Sequence, residues 1–150
     1  PMSTVSTTDK LIIRISIALL VVSLAFKCYC TTTSCAHSFL AFLLGWLNLL
    51  SGLAGFAWLA NPLLIFSWIM LRRNLKLSMF LSVFSTLIAM SFMLVDSIVD
   101  NEGGVPHAIV SLNAGYWLWL CSHVTMLAGT FWMMLQSNTV KQRELKNRKP

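Results

Sequence analysis

Charged side chains are what this chain lacks most. They make up 11% of its 150 residues, against roughly 25% in an average soluble domain, and they are missing from long stretches instead of being spread over faces. Between Ala36 and Leu71 there is not one acidic or basic residue. A soluble fold of this size could not hide the 57% of residues that are hydrophobic, so the composition points to an integral membrane protein. Five acidic residues face eleven basic ones, giving a formal charge of +6. The bases fall at the ends of apolar runs and form no continuous basic face, which argues against a nucleic-acid partner.

Catalytic signatures are missing as well. The chain has no nucleotide loop, dinucleotide fingerprint, zinc-protease helix or nucleophile elbow. Without a C-x-x-C pair, thiol redox chemistry of the usual kind is disfavoured. No cofactor is implied.

What the chain does have is four apolar segments: Leu11 to Phe26, Ala36 to Leu71, Leu77 to Val95 and Ala108 to Leu135. A hydrocarbon slab about 30 Å thick needs about 20 helical residues, so the first is short, the third fits and the other two are long. A lone strand in lipid would leave its backbone unpaired, so each segment is read as helix. The second would be a helix of roughly 54 Å. Breaking it at Asn61-Pro62 would leave too short a span between Leu63 and Leu71, so it is read as one long or kinked helix whose turns before Gly45 reach the opposite surface. The expectation is an all-α, small integral membrane four-helix bundle, antiparallel and up-down, with the second and fourth helices long. It fills residues 1–150 as a single domain, with a short polar N-terminus and a basic tail.

With four spans and both termini cytoplasmic, every basic residue except Lys27 lies on or near the cytoplasmic side, as the positive-inside rule requires. Trp68 and Trp132 then fall near the inner interface and Trp117 and Trp119 near the outer one, as anchors. Ala25-Phe26-Lys27 lacks the small residues of a signal-peptidase site, so the first segment reads as an uncleaved span. Pro1 ahead of Met2 reads as an added residue.

Four groups of polar residues invite chemistry. The outer loop places Cys28, Cys30, Cys35 and His37 within a few residues. A disulfide using Cys35 is the simpler reading in an oxidising compartment, and a zinc or copper(I) set of all four is the alternative. Gly45, Asn48, Gly52 and Gly55 share a helical face, where small residues admit a close neighbour and Asn48 can hydrogen-bond across the contact. Asn61-Pro62 reads as a kink that frees a carbonyl. The second outer loop carries Asp96, Asp100, Glu102 and His107, either a solvated turn or a weak cation or acid-base site, although its spacing fits no calcium loop. On the last helix Asn113, Tyr116 and His123 share a stripe. With Trp117 and Asn48 they are expected to line an outward-open crevice, or to satisfy one another in the core. Cys121 reads as a buried small hydrophobe.

The resulting picture is a protein of the plasma (inner) membrane whose partners are the lipid bilayer and another membrane or extracytoplasmic protein. The leading reading is a non-enzymatic scaffold, accessory or immunity-type protein. A subunit of an oligomeric channel or carrier, built by self-association, is one alternative. A membrane enzyme or metal-handling protein using the outer Cys, His and acidic groups is the other.

Overall fold

Arg72, Arg73 and Asn74 turn the chain for a local reason. Asn74 is extended, with φ −150°, and its side-chain oxygen accepts the Leu77 amide at 3.2 Å, capping the helix that follows. The computed structural model describes residues 7–49, 52–99 and 104–147, without the side chains of 141–145 and 147. In chain order these form α1 (Thr7–Leu24), β1 (Lys27–Thr31), β2 (Cys35–His37) and α2 (Ser38–Leu44), which continues into a 3-10 turn at Gly45–Asn48. Then come α3 (Leu53–Ala57), α4 (Ala60–Leu71), α5 (Leu75–Ser91) with a 3-10 turn at Phe92–Leu94, β3 (Ser97–Val99), β4 (Pro106–Leu112) and α6 (Ala114–Asn147).

The expected all-α four-helix bundle is corrected by the two outer connections, which fold into a curled antiparallel sheet in the order β2-β1-β4-β3. Hydropathy assigns Ala108 to Leu112 to the last helix because those residues are apolar, but apolarity does not distinguish a helix from a strand that has found partners. β4 pairs with β1 through Tyr29↔Leu112 and Cys30↔Ser111. On its other side it pairs with β3 through Ser97↔Ala108 and Val99↔Pro106. Register shifts in β1, between Lys27 and Tyr29 and again between Cys30 and Thr31, are the irregularities that bend a strand.

The second segment is corrected too, because it is not one long helix. The break falls at Gly52, whose φ of +106° suits only glycine. Asn61-Pro62, the expected break, lies in the first turn of α4, where a missing N–H costs little. Residues 38–57 instead make a helical hairpin. Trp58 Nε1 donates to the Phe42 carbonyl at 2.7 Å. A Cβ on Gly45 would strike the Trp58 ring, and one on Gly55 would strike the Asn48 carbonyl. The small residues do admit a close neighbour, but across a hairpin and not along one helix face.

Three helical stretches are long and apolar enough to cross a membrane: Leu53–Leu71, Leu75–Leu94 and Ala114–Val140. α1 is not among them, since it carries Asp9, Lys10 and Arg14. It nevertheless lies antiparallel along α6, with Ile12 against Gly129 and the Lys27 carbonyl against Gly115, so its apolar part shares the depth of a spanning helix.

Serine hydroxyls knit the bundle. Ser16 Oγ donates to the Ser122 carbonyl and Ser122 Oγ to the Ser16 carbonyl, both at 2.9 Å, joining α1 to α6. Ser67 and Ser78 make the same reciprocal pair between α4 and α5, at 2.9 and 2.8 Å. Ser85 Oγ donates to the Ala60 carbonyl at 2.9 Å, and Ser82 meets Thr130 at 3.1 Å. All of these side chains are buried. Small residues allow close helix approach in lipid, and each interhelical hydrogen bond adds about 0.6 kcal/mol on average. Apolar packing divides into a cluster around Leu64, Leu71 and Met126 and another, beneath the sheet, around Phe92, Tyr116 and Leu120.

Candidate functional site

The sheet-side cluster contains a line of aromatic rings. Tyr29 on β1 lies 5.6 Å from Phe92, Phe92 lies 5.6 Å from Tyr116, and Tyr116 lies 5.8 Å from Trp119. Trp119 meets the His123 ring edge-on at 4.8 Å. These separations suit tilted ring contacts. The spacing from Tyr116 to Trp119 to His123 places the last three on one face of α6.

Polar contacts fix the lower rings. Tyr116 donates its hydroxyl to the Ala89 carbonyl of α5 at 3.2 Å. Trp119 Nε1 donates to Asn61 Oδ1 of α4 at 2.8 Å. His123 Nδ1 lies 2.9 Å from the Trp119 carbonyl. A carbonyl only accepts, so Nδ1 carries the proton in that contact, and the second ring nitrogen, Nε2, is buried without a hydrogen-bond partner.

The structure thus brings together Asn61, Tyr116 and His123 from the expected crevice, and adds Trp119. Asn113 is not on the stripe. It precedes α6, its amide donates to the Cys28 carbonyl at 2.9 Å, and its side-chain Nδ2 donates to Cys30 Sγ at 3.1 Å. Trp117 is exposed. Asn48 and Gly52 are exposed at the far end of the 38–57 hairpin.

The outer cysteines are held by the sheet. Cys30 and Cys35 face each other in register across β1 and β2 and form a disulfide. Cys28 keeps a free thiol, buried under the sheet, which donates to the Ala36 carbonyl at 3.3 Å. Burial pushes this thiol's pKa above its usual range. His37 is exposed at the junction of β2 and α2. Two of the four candidate metal ligands are therefore bonded to each other, and among the described residues no three His, Cys, Asp or Glu side chains gather as a metal set. Asp96 is exposed and its carbonyl accepts the Ile109 amide at 2.9 Å. His107 lies on β4 opposite Ile98. Asp100 and Glu102 lie outside the described residues. Cys121 is exposed on α6, contrary to the buried placement expected of it.

Between the 38–57 hairpin, the sheet and the sheet-side end of the bundle lies a cavity of about 1120 Å³. Tyr116, Trp119 and Asn61 line it from the bundle, Ser38 and Asn48 from the hairpin, and Asp96 from the strand side. Ser38 is 6% exposed, and its hydroxyl completes no hydrogen bond although the Cys28 thiol is beside it.

Sequence reasoning missed the serine ladder, Trp119 as an interior donor, and Ser38. The signal for the first was present: Ser78, Ser82 and Ser85 recur at helical spacing in α5. Trp68 is likewise no simple interfacial anchor, since its Nε1 donates to Ser16 Oγ at 3.0 Å. The chain matches no protein-family model, no curated protein and no solved structure.

Proposed function

We propose that this multi-pass membrane protein is a non-enzymatic accessory protein that binds another protein on the extracytoplasmic side of the inner membrane. In this reading α1 is a fourth span, both termini are cytoplasmic, and the sheet stands outside. One observation carries it. Along β4 the residues alternate, with Ile109 packed against the cluster below and Pro106, Ala108 and Val110 exposed. An antiparallel sheet with a solvated face normally turns polar residues outward, yet Val110 is 62% exposed and nearby Val105 is 56% exposed. Apolar residues on that face suit contact with a partner. The interior polar groups also favour a non-catalytic role, because the serines bond to one another's helices instead of converging on a substrate.

A photo-crosslinking residue in place of Val110, in membranes of the native source, tests this. The expected product is an adduct with one other protein, absent when the same residue replaces the lipid-facing Phe131. Adducts with lipid alone would overturn the proposal. Adducts only with a second copy of the chain would replace it with the oligomeric-subunit reading.

A further inference from the structure

Protein interiors seldom leave voids larger than a water molecule, and ligand pockets typically measure about 300 to 1,000 Å³. A cavity of about 1120 Å³ is on the scale of a ligand site. Its mouth is apolar: Leu44, Leu53 and Leu94, from three separate elements, both line it and are exposed. The hairpin wall turns Phe39, Leu43 and Trp46 outward, so the cavity's neighbour on that side is hydrocarbon. A molecule that enters past such a rim comes from the bilayer and carries an apolar tail.

The closed end sets what the head can be. Ser38 sits where α2 meets the start of α6, so close that a Cβ on Gly115 would strike its hydroxyl. That hydroxyl lines the cavity, is buried, and lacks a hydrogen-bond partner. A buried hydroxyl left unpaired costs about 1–3 kcal/mol, which a polar head in the cavity would recover. The described lining holds one acid, Asp96, and no Lys, Arg or His. An anionic head would meet no counter-charge and one repulsion. Tyr116 and Trp119, already bonded within the bundle, offer ring surface to the ligand and no further donor.

We infer that the cavity binds a neutral, single-tailed membrane lipid, its head hydrogen-bonded to Ser38 and its tail leaving past Leu44 and Leu94. This site is separate from the exposed β4 face and does not depend on the partner proposed for it. The test uses full-length protein in phosphatidylcholine nanodiscs with two probes of equal chain length, a diazirine-tagged monoacylglycerol and the matching diazirine-tagged fatty acid. At neutral pH the monoacylglycerol should label peptides from 38–58 more strongly than the fatty acid does. Loss of one neutral hydrogen bond in Ser38→Ala should cut labelling by roughly twofold to tenfold, with no fall in thermal stability, because the hydroxyl removed is unpaired in the free protein. Ala54→Trp should block labelling by filling the cavity. If that variant does not fold, competition by untagged monoacylglycerol on the wild type takes its place. Equal or stronger labelling by the fatty acid, undiminished labelling of Ser38→Ala, or wild-type adducts confined to residues outside the cavity would each overturn the inference.

Discussion

Asn61 and His123 look equivalent in the sequence, two polar residues in apolar helices, and the structure separates them. Asn61 is the acceptor for Trp119 Nε1, so Asn61→Leu strands a buried donor at a cost of about 1–3 kcal/mol. His123 bonds only the carbonyl one turn earlier in its own helix. Its loss leaves that carbonyl in the helical ladder and removes an unpaired nitrogen, so His123→Leu should cost less than about 1 kcal/mol. Unfolding in mixed micelles titrated with sodium dodecyl sulfate would rank them, and the reverse order would mean that His123 Nε2 has a partner in the membrane. The sequence showed that these residues must be satisfied. It could not show by whom, because Asn61 and Trp119 are far apart along the chain and no local spacing links them.

Among the elements, the helices were legible and the strands were not. Three of the four apolar runs end close to the observed spans, because hydrocarbon imposes length and apolarity on any helix that crosses it. The sheet escaped because its pairing is non-local: β1 is written as a Cys and Thr loop, and β4 is merged into the apolar run that becomes α6. The Cys30–Cys35 bridge falls in the group where the residues alone had suggested one, though the choice between Cys28 and Cys30 needed the β1–β2 register. The serine pairs make their own prediction. Ser16 and Ser122 exchange hydrogen bonds and Ser16 also accepts from Trp68. A double-mutant cycle of Ser16→Ala with Ser122→Ala should therefore give a coupling energy of roughly 0.5–2 kcal/mol. A coupling near zero would show that the hydroxyls act only through their small size.

For the whole molecule, all four strands follow the ends of α1 and α5 or precede the start of α6, while the Arg72-Arg73 turn and the Lys146 end of α6 lie at the other end of the bundle. This polarity, together with the basic residues, motivates the proposed orientation. In a variant with Cys28 and Cys121 replaced by alanine, a single cysteine at position 97 should react with an impermeant maleimide from outside. One at position 137 should react only after permeabilisation. The opposite pattern would invert the topology and place the disulfide in the cytoplasm.

The pairing of β1 with β4 also sets an order of events during synthesis. The β1–β2 hairpin and its five-residue Cys30–Cys35 separation are local and can close as soon as they cross the membrane. The other edge of β1 must wait until α5 has inserted and residues 106–112 have followed it out. During that interval the growing chain presents an unpaired strand edge to whatever the compartment contains. Translation of the last helix is thus the step that protects the first hairpin, and a ribosome stalled before β4 would release a protein oxidised at its cysteines and still open to edge-to-edge association.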